Sequence, residues 1–339
     1  MKTYFVTGGA GFIGSAFVRL VLDERPDVRV INYDLLTYAG NPENLTGLDS
    51  TRHTFVKGDI CDATAVLDAL PDGTDVIVNF AAESHVDRSI LSAHEFINTN
   101  VLGTQILLDA ARERGVSRFC QISTDEVMGS LPDDSDDYFT EASPFAPNSP
   151  YAASKAAAEH VVRAAHETFG LDTVITRCGN NYGPRQFPEK FIPLMIANAL
   201  ADEPIPVYGD GMNVRDWIYV DDHCRAILDL IERGTSGSTY NIGARNEQHN
   251  IDVAKSVLDA LDKPHSLLKF VEDRLGHDRR YAIDPAKIEG ELDWRPRESW
   301  ESGLAKTVRW YLDNRTWIAH VRSGEYREYY QRQYGTQVG

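Results

Sequence analysis

Apolar residues along the first 125 positions fall into two alternating patterns. Short runs rich in Val, Ile, Tyr and Phe, at 2–7, 28–33, 53–57, 75–80 and 118–123, have the length and composition of strands. Between them, apolar positions recur at helical spacing over Phe12 to about Glu24, near Ala63–Leu70, and from about Ala93 to Arg114, where Leu107, Leu108 and Ala111 share one face. Strands separated by helices of this length predict parallel βαβ units with right-handed crossovers. The expected fold class is therefore α/β, a Rossmann-type doubly wound parallel sheet.

The strict alternation fades further on. Residues 131–150 are rich in Asp, Pro and Ser and read as a long loop. A helix is predicted from Ser149-Pro150 to about Phe169, then a strand over 172–177 and a Gly-, Asn- and Pro-rich segment over 178–190. Beyond it, short strands at 205–208, 215–219 and 238–242 mix with helices at 191–201, 221–233, 250–262 and 299–313. This divides the chain into a dinucleotide-binding domain over 1–178 and a smaller mixed α/β lobe mainly over 179–320, with some later segments returning to the first domain. The tail, 321–339, has no assignable role.

The 339 residues are 42% hydrophobic and 25% charged, as in an ordinary soluble globular protein. No apolar run approaches the roughly 20 residues that span a membrane. The first residues, MKTYFVTGGAGFIG, lack a signal peptide's apolar stretch and cleavage site, so a cytoplasmic location is expected. Cys61, Cys120, Cys178 and Cys224 lie far apart without a CxxC pair, which suggests neither a disulfide framework nor a metal site. A formal charge of −17 argues against nucleic acid or an anionic membrane as partner. It also requires local basic residues if the substrate is an anion.

Candidate chemistry begins at the first βα junction. Thr7-Gly-Gly-Ala-Gly-Phe-Ile-Gly14 places Gly8, Gly11 and Gly14 in a GxxGxxG pattern, with Phe12 and Ile13 entering the helix. Glycines there allow a tight turn and let the backbone approach a pyrophosphate at a helix N-terminus. Asp34 stands 20 residues past Gly14, at the end of the second strand. An acid in that place accepts hydrogen bonds from adenosine ribose hydroxyls and repels a 2′-phosphate. Leu35 and Leu36 follow it rather than arginine, so NAD is favoured over NADP. Asp59 and Ile60, after the third strand, are placed to border the adenine.

Tyr151-Ala-Ala-Ser-Lys155 is a YxxxK motif opening a helix, with both side chains on one face. Lysine's charge beside a phenol favours the phenolate, which can take a proton from a hydroxyl while hydride leaves the same carbon. Alone the motif is weak; behind a dinucleotide fingerprint it gains weight. Ser123-Thr124-Asp125-Glu126-Val127 ends the fifth strand, where active sites of doubly wound folds lie. Thr124 can hydrogen-bond the same hydroxyl as Tyr151. Two adjacent acids supply an acid and a base if their environments separate them.

At these residues the chain resembles the extended short-chain dehydrogenase/reductase superfamily, and within it the nucleotide-sugar 4,6-dehydratases. The likeness runs from residue 2 to about 315 through TGGAGFIGS (7–15), YDLLTYAGN (33–41), GDICD (58–62), FAAESHVDRSI (80–90), STDEV (123–127), SPYAASKA (149–156), NNYGPRQFPEKFIPL (180–194), YGDGMNVRDWIYVDDH (208–223) and DRLGHDRRYAID (273–284). The resemblance implies a tightly bound, recycled NAD and a nucleotide-sugar substrate, dTDP-glucose in the first instance. It implies Tyr151 as base for the C4 hydroxyl, supported by Thr124 and Lys155; Glu126 as the group that removes the C5 hydrogen; and Asp125 as the acid for the departing C6 hydroxyl. It places Ala81, Ala82, Thr99 and Asn181 on the cofactor side. For substrate it implies Ser84, Asn180, Lys190, Phe191, Tyr208, Arg215, Asn250, Arg274 and His277, with Arg215 and Arg274 offsetting a diphosphate. It also implies a homodimer, with the helices near 93–114 and 149–169 as candidate contacts.

Two positions depart from the family pattern. Met128 stands where tyrosine is usual, and is expected to pack under the acid pair. Leu35 replaces a usual lysine after Asp34. The acidic run Asp133–Asp137 is taken as a solvated loop rather than a metal site. Three other readings stay open: a 4,6-dehydratase acting on UDP-glucose, a UDP-sugar 4-epimerase or decarboxylase on the same scaffold, and a non-catalytic NAD-binding regulator. Asp125-Glu126 counts against the epimerase and decarboxylase, which have no C5–C6 elimination to catalyse. The intact Tyr, Lys, Thr and acids count against the regulator.

Overall fold

A computed structural model describes residues 1–132, 135–273 and 277–323. Seven parallel strands form the central sheet: β1 (Lys2–Thr7), β2 (Val28–Asp34), β3 (His53–Lys57), β4 (Val76–Asn79), β5 (Arg118–Thr124), β6 (Thr173–Cys178) and β10 (Ser238–Ile242). Their order is β10-β6-β5-β4-β1-β2-β3. The order reverses between β1 and β4, and the crevice at such a switch point is where doubly wound folds bind ligands.

Strand period two explains why the sheet is covered on both sides. In β1, Tyr4 and Val6 face a layer made by α1 (Phe12–Glu24) and α8 (Val220–Arg233), while Phe5 faces the opposite layer. Val76 and Val78 of β4 share the first face, and Ile77 the second. The second layer is α2 (Ala63–Ala69), α5 (Thr104–Glu113) and α6 (Pro150–Phe169), contributing Val66, Leu107, Leu108 and Val162. Fully burying each such side chain is worth roughly 1.5–3 kcal/mol, so this two-sided core is what orders the sheet.

The helix expected over 93–114 is not one continuous α-helix. Helices α3 (Val86–Leu91) and α4 (Ala93–Phe96) lead into a π-helical stretch, Ile97–Gly103, before α5. The wider register coincides with two tertiary contacts. Asn100 turns inward to bond Glu83 and Ser154, and Gly103 lies so close to Ile60 that a Cβ there would sit 2.5 Å from its Cδ1. Apolar periodicity alone does not separate α from π.

The later chain builds a second body. It contains α7 (Phe191–Leu200), α9 (Asn250–Ala260), α11 (Trp300–Asp313) and α12 (Arg315–Val321) around an aromatic-rich core that includes Tyr182, Trp217, Tyr219 and Tyr311. Its strands are β7 (Asn180–Tyr182), β9 (Val214–Tyr219) and β11 (Glu247–His249) in one sheet, and β8 (Ile205–Tyr208) with β12 (Leu268–Val271) in another. Two of its segments return to the large sheet: β10 pairs with β6, and α8 packs on α1. Helix α10 (Ala286–Leu292) packs against β10. Elements β7, β11, β12, α3, α10 and α12 are too short or too irregular in pattern to have been foreseen. No helix among the described residues is long and apolar enough to cross a membrane.

Candidate active site

A cleft of about 330 Å3 opens over the carboxyl ends of β1, β2, β4, β5 and β6. One end is made by the glycine turn. Gly8 has φ +67°, and Gly14 packs so closely that a Cβ would meet the Gly8 carbonyl oxygen at 2.3 Å. Asp34 is tied to this turn: its carboxylate accepts the Ala10 N–H at 2.9 Å and the Leu36 N–H at 2.8 Å. Burial pushes its pKa up, and the two N–H groups pull against that. Asp59 and Ile60 line the same end, with Asp59 accepting the Cys61 N–H at 2.8 Å. Phe12, Ile13, Ala81, Ala82 and Thr99 complete it.

At the centre, β5 ends at Thr124, which caps a 3-10 turn carrying Asp125, Glu126, Val127 and Met128. Thr124 Oγ1 accepts the Glu126 N–H at 3.3 Å and donates to Asp125 Oδ1 at 3.3 Å. Helix α6 starts beside it: Ser149 caps with its hydroxyl on the Ala152 N–H, and Pro150 occupies the first turn. That start brings Tyr151 and, one turn later, Lys155 against the end of β5.

The two acids sit in different surroundings. Asp125 is 2% exposed, and burial followed by the charge of Glu126 raises its pKa well above the carboxylate range. Glu126 is only half-buried and lines the open cleft. Burial thus separates the surroundings of the two adjacent carboxyl groups.

Tyr151 departs from expectation. Burial first, then Glu126, holds its phenol well above its ordinary pKa, while the Thr124 hydrogen bond pulls the other way. Lys155, lowered to about 8 by burial, donates to the Ile122 carbonyl at 2.5 Å. In this structure the ammonium therefore braces β5, and the balance at the phenol lies on the neutral side rather than the phenolate side.

The family profile for GDP-mannose 4,6 dehydratase matches residues 5–307. The chain belongs to this dehydratase family. It is 52% identical to dTDP-glucose 4,6-dehydratase of Neisseria meningitidis, covering 96% of this chain and 98% of that one. It is 48% identical to dTDP-glucose 4,6-dehydratase 1 of Escherichia coli over 97% and 98%. Among solved structures, dTDP-glucose 4,6-dehydratase from Streptomyces venezuelae, with NAD bound, superposes with a TM-score of 0.91 at 52% identity, covering 94% of this chain and 99% of that one. UDP-glucose 4-epimerase of Thermus thermophilus, also with NAD, gives 0.84 at 30% identity over 92% and 99%.

In this member of the dehydratase family, the residues expected to hold substrate divide into two groups. Ser84, Asn180 and Lys190 line the cleft with Asn181, and Lys190 Nζ donates to the Ser84 carbonyl at 2.8 Å. Asn181 accepts from the His223 ring at 2.9 Å. The other group lies off the cleft wall. Phe191 stacks on Trp217 within the smaller core, so it packs rather than lines. Tyr208 reaches Asp87 at 3.5 Å and meets the His277 ring edge-on. His277 pairs with Asp273 at 2.6 Å. Asn250 opens α9, with its backbone N–H on Asn213. Arg215 is buried over the Tyr281 ring and donates to the carbonyls of Val214, Asp278 and Arg279, near enough to Asp125 to lower its pKa. Arg274, Asp133 and Asp134 lie outside the described residues.

Sequence reading passed over Glu83, Cys178, Gln186 and Glu189, all of which line the cleft. Glu83 and Glu189 sit inside the quoted segments FAAESH and PEKF, each an acid directly beside a residue assigned to substrate, Ser84 and Lys190. Met128 is 3% exposed and packs with Val127, Phe139, Ala156, Tyr281 and Ile283 beneath the acid pair, as anticipated. Leu35 lines the cleft and is largely exposed.

Proposed function

We propose that this protein is a dTDP-glucose 4,6-dehydratase that works with bound NAD and yields dTDP-4-keto-6-deoxyglucose. The observation that carries the proposal is the Asp125–Glu126 pair, one acid sealed and one open, beside Tyr151 at the switch-point cleft. The glycine turn suits NAD. A Cβ at Gly11 would meet only the Gly8 carbonyl oxygen, at 3.2 Å, so that face of the turn is clear for a close approach, and the Asp34 carboxylate stands at the same end. Near-complete coverage of relatives with this activity, at about half identity, supports the same reading.

NAD, when bound, supplies the site that takes a hydride from C4 and returns it to C6. The protein's residues handle the protons. Tyr151 takes the C4 hydroxyl proton in its ionised form, so the fraction of phenolate limits this step, with Thr124 bonded to the same oxygen. The new C4 ketone acidifies the C5 hydrogen, which Glu126 removes and gives back to C5 once C6 has been reduced. Asp125, whose protonated form burial favours, gives its proton to the departing C6 hydroxyl, so water leaves as a neutral molecule. Ser84, Asn180 and Lys190 hold the sugar nucleotide at the cleft, and Asn181 lies on the cofactor side. Tyr208, Arg215, Asn250 and His277 serve a nucleotide diphosphate further out, with Phe191 packing behind the sugar site, and Arg274 is assigned to the same diphosphate from the sequence alone.

The test is a product assay with purified protein and either dTDP-glucose or UDP-glucose, read by mass spectrometry. Loss of one water from dTDP-glucose without stoichiometric added NAD is expected. Loss from UDP-glucose alone changes the substrate, and interconversion of epimers without water loss moves the protein to the epimerase activity of its structural neighbour.

The protein is also proposed to be cytoplasmic and a homodimer. The α3-to-π-helix segment leaves Ile90, Leu91, Ile97 and Leu102 exposed, an apolar face suited to a second copy. Light scattering giving a single chain mass at micromolar concentration removes the dimer.

A further inference from the structure

Beneath the cleft lies a buried ion pair that the proposed chemistry does not use. Arg177 and Glu159 have side-chain exposures of only 4% and 3%. Arg177 Nε and Nη2 grip Glu159 Oε2 at 3.0 and 2.8 Å, and the Ser123 hydroxyl donates to Glu159 Oε1 at 2.6 Å. The remaining nitrogen, Nη1, donates to Met128 Sδ at 3.6 Å and to the Glu141 carbonyl at 3.4 Å. The Phe145 ring lies 4.8 Å from the guanidinium carbon.

Each partner stands next to a residue of the active site. Glu159 is one turn beyond Lys155 on α6. Ser123 precedes Thr124 at the end of β5, and Lys155 already holds Ile122 on the same strand. Met128 closes the turn that carries Asp125 and Glu126. Arg177 precedes Cys178, whose sulfur lies 3.6 Å from the Ser123 carbonyl. One guanidinium thus ties α6, β5, β6 and the acid-bearing turn at a single point.

A buried ion pair is a poor source of net stability, because removing two charges from water costs about what their attraction returns. Its planar, bidentate geometry does fix distance and angle. We infer that Arg177, with Glu159, Ser123 and Met128, is a positioning cluster that holds the Asp125–Glu126 turn at the correct height against Tyr151, so that elimination keeps pace with oxidation. This rests on the dehydratase reading above. It also gives Met128 a role: its thioether sulfur accepts from the arginine that grips Glu159.

The test uses the whole enzyme and two variants, R177K and M128L. R177K keeps the charge and loses the fork; M128L keeps the volume and loses the sulfur acceptor. If the turn drifts from Tyr151, C4 oxidation continues while elimination slows, and reduced cofactor accumulates. R177K is expected to lose about tenfold or more in kcat, since a misplacement of about 1 Å can cost far more than that, with KM within about twofold. The near-ultraviolet absorbance of reduced cofactor should rise during turnover in R177K, and more weakly in M128L. A purely structural role predicts loss of thermal stability with no reduced cofactor. If neither variant accumulates it, the inference is overturned, including the case in which R177K does not fold and M128L behaves as the parent. If the parent itself does not dehydrate dTDP-glucose, the functional reading fails instead.

Discussion

Asp34 accepts the Ala10 backbone N–H at 2.9 Å, so the acid at the end of β2 is bonded to the glycine turn at the end of β1. The same carboxylate lines the cleft. Its two oxygens divide the backbone between them: Oδ2 accepts the Ala10 N–H and Oδ1 the Leu36 N–H.

D34N tests that division. An amide can accept at one oxygen only, so one of the two backbone bonds is lost and a donor replaces an acceptor towards the ribose. The variant should fold and retain about a tenth or less of the parent's NAD affinity, by analogy with the roughly 1.5–3 kcal/mol carried by a charged hydrogen bond. NAD content after purification and titration by fluorescence quenching would measure it. Undiminished retention would show that Asp34 shapes the turn without contacting the cofactor.

Asp125 and Glu126 should respond differently to removal of their acidity. Burial favours the protonated form of Asp125, so D125N replaces it by a neutral group of the same shape and should leave thermal stability nearly unchanged. It cannot give up a proton, so dehydration should fall by about 10²–10⁴ while C4 oxidation persists. E126Q should keep NAD and lose exchange of the C5 hydrogen with solvent. Exchange at the parent rate in E126Q removes Glu126 from the base role.

Tyr151 starts from a high pKa, since burial and Glu126 both disfavour its phenolate. Loss of its hydroxyl in Y151F should therefore abolish C4 oxidation, by about 10²-fold or more, without affecting sugar-nucleotide binding to the same degree. Stopped-flow absorbance of reduced cofactor in a single turnover reports that step directly. A normal burst would assign the proton to another group.

The sheet was legible because each of its early strands is a short apolar run flanked by a turn, and the helices between them are long and one-sided. The glycine turn, Asp34, the YxxxK pair and STDEV were legible because spacing places them at strand ends. The second body was less so, since Asn180–Tyr182 and Glu247–His249 are three-residue strands with no periodicity to detect. The π stretch was invisible because what it coincides with, Asn100 reaching Glu83 and Ser154, is a tertiary contact. The positions of Phe191 and Tyr208 off the cleft wall depend on how loops from three distant segments meet. The reversed balance at Tyr151 reflects burial, which no motif reports.

Those loops meet at Glu189, which gives the last prediction. Its carboxylate is buried against Arg88 Nε at 3.4 Å and His85 Nε2 at 3.9 Å, beside Tyr38, Lys190 and Glu83. Burial outweighs the nearby positive charges and raises its pKa to about 7. A carboxyl raised in the folded state binds its proton more tightly there than in the unfolded chain. Its contribution is fully present below about 4.5, its ordinary value, and is lost as pH rises through about 7. At pH 8 the parent therefore carries an ionised buried carboxylate, at a cost on the order of 1–3 kcal/mol. E189Q has no proton to lose there. Urea midpoints at intervals from pH 4.5 to 8 should fall more steeply with pH in the parent than in E189Q, the difference growing towards pH 8. Parallel curves would mean that Arg88 and Lys190 keep Glu189 ionised throughout, and that the cleft mouth is held by an ion pair over the whole range.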